Sequence, residues 1–586
     1  MHISRIAIDN FRNFCAIDLT ELPPVQVIVG ENRAGKSNLL HALRLVLDPS
    51  LPDTARQLTA EDFWDGLPAP FDGHEIRVVV ELADFEGDEN AKALLCDYLV
   101  QKSPNVARLT YLYRPELKLD DERDHAGEYE HLLFGGNKLD RHVSRAALRY
   151  VSLRVLPALR DAESDLASNR SPLRRLLERI DIDPTHLADA ASSIEQAGAA
   201  LLSDTNVAAI NNGISNRIID MVGTPFSIAT TLGIAATDAE QLTRAIRLLI
   251  DDTKQRTISQ TSLGSANVLY LALLLELLAA QEAAGEIVTT ILAVEEPEAH
   301  LHPHLQRVLF RHLLNTGRPT IVTTHSPHLA SVAPLRSVTM LRNDGSSTTT
   351  AHARDVEIDQ NAFRDLERYL DITRAELLFA KAVILVEGTA EQFLLPVFAA
   401  SAGIDLDANG ITVCAVHGTD FGPYRSLLGK EGFDITHVVI TDGDPTDHGY
   451  EGLARGQGLT RTQNLDDEVG ALIAQGDDAG ARKALHRTDV FVGHHTLELD
   501  LLPNARDAMI AAHADLVVGP KRRQNFARAI DDHVAGDPDG SRRVLARIDE
   551  IGKGRYAQRL AAHLAGVSPP GYIDAALARI AKKLSP

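Results

Sequence analysis

Two groups of residues in this 586-residue chain have the types and spacing to do chemistry. The first begins with Gly30-Glu31-Asn32-Arg33-Ala34-Gly35-Lys36-Ser37, which fits G-x-x-x-x-G-K-[ST] in full. A loop of this kind opens a helix whose unsatisfied N–H groups and positive dipole end face phosphate oxygens. Lys36 would reach the β- and γ-phosphates of ATP, and the Ser37 hydroxyl would ligate its Mg²⁺. Gly30, Asn32, Gly35 and the following Asn38 complete the candidate nucleotide-binding set. About 260 residues further on, the apolar run Thr290 to Val294 delivers Glu295 and Glu296. Glu295 would hold the Mg²⁺ through water, and Glu296 would polarise the water that attacks a γ-phosphate. The second group is acidic. Glu387-Gly388 is followed by Glu391, a spacing of four that puts both carboxylates on one side of a promptly starting helix. In Asp442-Gly443-Asp444 the alternation points both carboxylates one way, with Gly admitting a ligand. Such hard oxygen ligands suit Mg²⁺ or Mn²⁺.

These residues must be carried by strands that end at them, because open α/β sheets place ligands at the C-terminal edge of buried parallel strands. The sequence supplies such strands. Residues 3–9 and 25–29 read as strands, the second running into the lysine motif, and Asp48-Pro49 ends the helix that follows. Residues 319–324 form another, delivering His325. Between them, Pro303 suits the first turn of a helix over Leu305 to Asn315, which Gly317 can close. Alternation over Glu75 to Leu82 and Arg108 to Arg114 predicts an antiparallel sheet at the edge. Residues 161–222 carry helical spacing and read as an insertion. Thr261 to Asn267 leads into an apolar helix predicted over Val268 to Ala284, closed by Gly285. Residues 340–372 read as a linker with a helical segment. From Lys381 a second strand–helix alternation begins, with strands Ala382 to Val386, Ile411 to Val416 and His437 to Thr441. The expected domains are 1–160 and 223–372 for one α/β unit, 161–222 for the insertion, and 373–586 for the other. The last has the size of an independent domain.

Composition bounds the rest. A chain this long needs several cores, and an apolar fraction of 44% is that of a globular protein. Cys15, Cys96 and Cys414 have no paired spacing, which argues for a reducing compartment and against a zinc site or disulfide framework. The start Met1-His2-Ile3-Ser4-Arg5 lacks a charged-then-apolar leader. The best candidate membrane run, Leu269 to Ala280, is interrupted by Glu276. These features point to a cytoplasmic protein with no membrane partner. A net charge of −22 argues against nucleic acid on the whole surface. Residues 521–560 nonetheless hold ten Lys/Arg against six Asp/Glu, a local basic surface able to hold a phosphate backbone.

The first pattern resembles the ABC/SMC-like P-loop ATPase head, on the lysine motif and on Glu295-Glu296-Pro297-Glu298-Ala299-His300-Leu301-His302-Pro303. The second resembles the C-terminal Toprim α/β domain, on Glu387-Gly388, Glu391 and Asp442-Gly443-Asp444. Joined in this order they resemble the OLD (overcoming lysogenisation defect) family of ATPase–Toprim nucleases over nearly the whole chain, least distinctively over 161–222. The resemblance places Ser262 to Asn267, with Ser265, at the signature loop that completes a neighbour's nucleotide site, and His325 at a γ-phosphate-sensing switch. It implies that Glu498, in Thr496-Leu497-Glu498 after the strand Asp489 to Val492, is a further metal-binding carboxylate. It also implies that Lys553, in Lys553-Gly554-Arg555, is a transition-state cation, and this late motif points to the class 2 branch that includes the nuclease subunit of Gabija systems. Two features depart from or escape the pattern: Glu295 stands where Asp is usual, and Gln57 is only a candidate for the Q-loop.

The implied activity is a Mg²⁺- or Mn²⁺-dependent DNA endonuclease of phage defence or DNA processing. Two ions would sit on Glu387, Glu391, Asp442, Asp444 and Glu498, with Glu387 a candidate base, and a third with ATP. The implied partners are DNA, a second copy or higher homo-oligomer through residues 161–222, and a UvrD-like helicase. One rival is an SMC-like ATP-driven clamp with an inert Toprim domain, disfavoured by the complete carboxylates and by an insertion too short for coiled-coil arms. The other is a topoisomerase, which needs a nucleophilic tyrosine.

Overall fold

The computed structural model describes residues 1–68, 73–116, 129–156, 166, 171–180, 182–222, 246, 248–250, 262–284, 289–354, 356, 358–369, 376–446, 449–460 and 462–584. Thr261, Gly285 and the sequence-derived boundaries at 160/161, 222/223 and 372/373 touch residues outside that set.

The N-terminal half holds two sheets around the lysine motif. Strands β1 (His2–Phe11), β2 (Phe14–Leu19), β4 (Ile76–Ala83), β5 (Leu99–Lys102), β6 (Asn105–Pro115) and β7 (Tyr129–Gly135) form an antiparallel sheet in the order β2-β1-β4-β6-β5, with β7 also on β6. Period-two patterning drives it: Ile76, Val78, Val80 and Leu82 of β4 are buried, whereas Arg77 and Glu81 lie on the other face. The second sheet runs β12-β11-β3-β10-β9-β8, from β3 (Val25–Gly30), β8 (Val151–Leu156), β9 (Thr289–Glu295), β10 (Thr320–Thr324), β11 (Val338–Asn343) and β12 (Thr348–His352). Its pairs are parallel except β11–β12. Near-continuous apolar runs fit strands covered on both faces.

The stretch read as the start of a linker is corrected here. Residues 338–352 form a hairpin that extends the parallel sheet, with Leu341 paired to Gly30 at the mouth of the lysine loop. Its polar tip looked like linker because Asp344 accepts from the backbone N–H groups of Ser346 and Ser347, a turn built from side-chain oxygens.

The apolar helix also differs from expectation. It runs Leu263–Ala283, with Ser262 as N-cap, so Ser265 lies in its first turn and not in a preceding loop. By length and composition this helix could cross a membrane, with mean hydropathy 1.8 over its most apolar window. One third of that window is buried, and Leu271 and Leu278 join the apolar core that holds Val27 and Val294. Among the described residues of 161–222, helices span Pro172–Leu177, Pro184–Leu202 and Thr205–Val222.

The C-terminal half is built on β13 (Ala382–Val386), β14 (Ile411–Ala415), β15 (Thr436–Thr441) and β18 (Val490–Val492), all parallel in the order β14-β13-β15-β18, with a two-residue hairpin of β16 (Pro445–Thr446) and β17 (Gly449–Tyr450) after β15. From β13 the chain goes to β14 on one side, and from β15 to β18 on the other. The strand order therefore reverses between β13 and β15, which opens a crevice at their carboxyl ends. The apolar core does not stop between the halves: one cluster runs from Leu329, Leu335 and Met340 through Phe363, Leu366 and Leu377 to Phe421, Leu427 and Val439.

Candidate nucleotide and metal sites

At the end of β3 the backbone turns through Arg33 (φ 73°) and Gly35 (φ 96°) into the helix Lys36–Leu47. A side chain at Gly35 would be strained at that φ and would drive its Cβ into the Asn13 amide, so the turn requires glycine. The helix N-terminus has no side-chain cap, which leaves its first N–H groups open to an anion. Lys36 is only 5% exposed. Its ammonium donates to the carbonyls of Gly30 at 2.8 Å and Glu31 at 3.1 Å, and lies 4.0 Å from Glu296 Oε1. Burial lowers its pKa, with Glu296, Glu298 and Glu295 pulling the other way. A buried ammonium held mainly by two backbone carbonyls, beside uncapped helix N–H groups, fits the phosphates of a nucleotide.

Strand pairing brings the distant acids here. Register Val322↔Val294 and Val322↔Val27 sets β9 and β3 on either side of β10, and Ser37 Oγ donates to Glu295 Oε1. Glu296 leaves the strand at φ 45° and its N–H donates to Thr323 O. The His325 ring sits between two carboxylates, Nδ1 being 3.5 Å from Glu296 Oε1 and 3.4 Å from Glu298 Oε1. Lys36, Ser37, Glu295, Glu296 and His325 therefore converge, although no local pattern links them.

Glu298 was missed by sequence reasoning. It is 7% exposed and accepts from Thr324 Oγ1 (2.7 Å) and the His325 N–H (3.0 Å), fixing the end of β10 that carries the histidine. Its place three residues after Glu295 in an acidic turn was the one available signal. Other candidates turn elsewhere. The Asn38 amide is taken by Asn13 Oδ1 and its carbonyl by Arg12, whereas Asn32 is exposed on the loop. Gln57 donates to Tyr129 O and Tyr113 Oη and meets His131, so its amide is spent on the antiparallel sheet and not on a nucleotide. Ser265 is exposed, with its N–H and hydroxyl on Ser262 Oγ, and its neighbour Asn267 donates to Ala299 O.

The second site lies in the β13–β15 crevice. Glu387 follows β13, and its Oε1 accepts from Thr441 Oγ1 (2.5 Å), the Asp442 N–H (2.9 Å) and Arg455 Nη1 (2.8 Å). Glu391, in the first turn of the helix Thr389–Ser401, accepts from the Gly388 N–H. Asp442, at the end of β15, accepts from the Leu497 N–H at 3.0 Å, which draws in the helix Leu497–Leu516 and its Glu498, 6% exposed. Lys553, opening the helix Lys553–Ala561, stands 3.8 Å from Glu498 Oε1. Gly443 is required because a Cβ there would overlap the backbone of Gly493 and His494.

The simple alternation expected for Asp442-Gly443-Asp444 is corrected: Asp444 is left-handed (φ 46°) and turns its carboxylate to Arg455 Nη2 at 2.8 Å. Arg455 itself carried no sequence signal, since nothing in the helix Glu451–Gly458 marks it as facing carboxylates.

Crowding shows in the titration. Burial, followed by Glu387, Glu391, Glu498 and Asp444, pushes the Asp442 carboxyl up to about 9. Burial foremost, with Glu498 and Glu387 adding, pushes Glu391 up to about 7. Lys553 is lowered by burial but raised overall by Glu498 and Asp442. Five carboxylates against two cations form a donor set short of positive charge, which fits a hard divalent ion. Among the described residues no three acidic, histidine or cysteine side chains yet stand together as a ready metal group.

This crowding has a consequence for stability. The two raised carboxyls mean that the fold binds more protons than the unfolded chain. Their contribution is present below the ordinary carboxylate range and is lost as pH climbs through about 7 and about 9. The metal-free protein is expected to lose melting temperature from about pH 6 to about pH 9, and Asp442→Asn to melt higher than wild type at the alkaline end. A lower-melting Asp442→Asn would refute the crowding.

Comparison with known proteins agrees with this architecture. Residues 1–376 match the family model described as protein of unknown function (DUF2813), and residues 378–444 match the Toprim domain of overcoming lysogenization defect protein-like chains. Endonuclease GajA of Bacillus cereus (strain VD045) is 24% identical over 482 residues, covering 79% of this chain and 79% of that one. OLD nuclease of Thermus scotoductus is 27% identical over 467 residues, covering 75% of this chain and 82% of its own. Among solved structures, the C-terminal region of the Burkholderia pseudomallei OLD protein is 34% identical, covering 35% of this chain and 100% of that one at a TM-score of 0.32. The match over residues 1–376 makes the chain a member of the DUF2813 family, and the match over residues 378–444 sets a Toprim domain like that of overcoming lysogenization defect proteins at the carboxylate crevice.

Proposed function

We propose that the protein is an ATP-hydrolysing, divalent-metal-dependent DNA endonuclease whose Toprim crevice cuts and whose head controls cutting. The observation that carries this reading is the convergence of Glu387, Glu391, Asp442, Asp444 and Glu498 at the strand-order reversal, with Lys553 beside them. Those five carboxylates would hold the metal. Bound divalent ions supply an activated water and stabilise the leaving oxygen in an in-line displacement. Lys553 offsets charge on the scissile phosphate, and Glu387 orients the nucleophile. In the head, Lys36 and the loop hold the phosphates, Ser37 and Glu295 the nucleotide's Mg²⁺, Glu296 the attacking water, and His325 senses the γ-phosphate.

The names of the relatives, endonuclease GajA and OLD nuclease, support a nuclease of this class, and the former supports the class 2 branch. DNA binding is supported by part of the basic stretch only. Arg543 and Arg547 are paired with Asp532, Asp537 and Glu550, whereas Lys521, Arg522, Arg528 and Arg555 have no acidic partner among the described residues. Self-association through the insertion is supported by exposed Leu201, Ile210 and Ile214. A topoisomerase is disfavoured, since Tyr556 and Tyr572 beside the crevice are buried and Tyr556 Oη donates to Met509 O.

The test is incubation of purified protein with supercoiled plasmid, with and without Mg²⁺, Mn²⁺ and ATP. Nicked or linear product that needs the metal supports the endonuclease. Relaxed plasmid with protein covalently trapped on DNA would mean a topoisomerase, and intact plasmid under every condition would leave the clamp.

A further inference from the structure

Arg455 lies where the proposed metal chemistry would take place. It sits one turn into the helix Glu451–Gly458, whose start is pinned to the Asp-Gly-Asp loop by Glu451 N–H to Asp444 O (3.1 Å) and Gly452 N–H to Gly443 O (3.0 Å). Its side chain is 16% exposed, and the guanidinium spans the crevice. Nη1 donates to Glu387 Oε1 at 2.8 Å and to Thr441 Oγ1 at 2.6 Å, and Nη2 donates to Asp444 Oδ2 at 2.8 Å. One planar fork thus bridges the carboxylate after β13 and the second carboxylate after β15.

We propose that Arg455 is the resident counter-ion of this cluster, and that its guanidinium must leave Glu387 and Asp444 before a divalent cation binds there. This rests on the endonuclease reading of the same crevice. Three observations converge on it. The cluster holds five carboxylates, and among the described residues Arg455 and Lys553 are the two cations joined to it by ion pairs. The guanidinium lies between two of those carboxylates and occupies an oxygen of each, Glu387 Oε1 and Asp444 Oδ2. The helix that carries Arg455 is anchored by its backbone, so the long flexible stem can swing out without moving the loop. A guanidinium and a divalent ion sharing the same two carboxylates would repel each other across a few ångströms of partly dry protein, so the two states exclude one another. Arg455 would then hold the acids together without metal and set the metal concentration at which the crevice is loaded.

The opposite role is chemically reasonable: an arginine that stays in place and orients Glu387 and Asp444 toward the ion. The two roles predict opposite signs. Mn²⁺ binding to the full chain, without DNA or nucleotide, can be titrated by electron paramagnetic resonance and calorimetry for wild type, Arg455→Ala, Arg455→Lys and Asp442→Asn. Displacement predicts Mn²⁺ binding at least about tenfold tighter in Arg455→Ala, with Arg455→Lys between the two because an ammonium cannot bridge both acids. It also predicts that Arg455→Ala melts lower than wild type without metal and regains the loss when Mn²⁺ is added. Unchanged or weaker Mn²⁺ binding in both arginine variants, with wild-type binding abolished by Asp442→Asn, overturns the displacement role and leaves the metal crevice standing. Absence of Mn²⁺ binding in wild type and every variant overturns both this proposal and the endonuclease reading.

Discussion

Asp442→Ala is expected to remove DNA cleavage while ATP turnover stays essentially at the wild-type level. Asp442 follows β15 inside the crevice, and its carboxyl, raised first by burial, is raised further by all four of the other acids, which marks it as their common neighbour. Taking it away removes a central metal ligand and also the acceptor of the Leu497 N–H, which helps to seat Glu498. Loss of even an outer-shell partner of a metal typically costs about 10–100-fold, so the loss here is expected to be on the order of 10²-fold at least. The fold itself is not at risk, because relieving carboxylate crowding stabilises the chain at neutral pH and above. Lys553→Ala is the companion: it keeps the five acids, so Mn²⁺ still binds, but cleavage is expected to slow on the order of 10²-fold for want of a preorganised charge. The measurement is plasmid cleavage and ATP turnover on the same preparations. If Asp442→Ala cuts DNA at the wild-type rate, the crevice is not the nuclease site.

Glu296→Gln is expected to retain ATP binding and lose turnover on the order of 10²-fold, the scale of a positioned general base. The geometry separates the two functions. The N–H groups at the start of the helix Lys36–Leu47, the Lys36 ammonium and the Ser37–Glu295 pair are all untouched by the change. Glu296 Oε1 stands between Lys36 Nζ at 4.0 Å and His325 Nδ1 at 3.5 Å, where an attacking water would be polarised, and an amide there cannot accept its proton. Lys36→Ala in parallel is expected to abolish turnover through binding, since a methyl group cannot replace a phosphate-binding ammonium. Nucleotide binding by fluorescence and turnover by phosphate release separate the two variants. In Glu296→Gln, trapped ATP should also favour paired heads, visible by sedimentation. Wild-type turnover in that variant would assign the water to another residue.

Much of both sites was legible in the chain because the relevant signals are local. A glycine loop between a strand and a helix dictates phosphate-facing N–H groups by itself, and the structure gives Gly35 the φ of 96° that only such a residue adopts freely. Apolar runs ending in acids, as at Val294-Glu295 and Val386-Glu387, read as buried strands delivering ligands because few other arrangements cover an apolar run on both faces. These features determined the residue types present, the strands carrying them and the order of phosphate loop, then carboxylate crevice.

Tertiary structure decided which of these groups meet and what stands between them. The polar hairpin over 338–352 reads as linker until its edge finds β3, and no local pattern says so. Glu298 became the support of His325 only when β9 and β10 paired, and Asp444 turned to Arg455 only once the following helix docked. Parallel sheets are closed by pairings between distant segments, and the field at Asp442 is a sum over acids from four separate elements. A sequence states each charge singly. The reversal of strand order between β13 and β15 brings those charges to one crevice and admits Arg455 as their counter-ion, because only there do the carboxyl ends of two strands with diverging connections leave space.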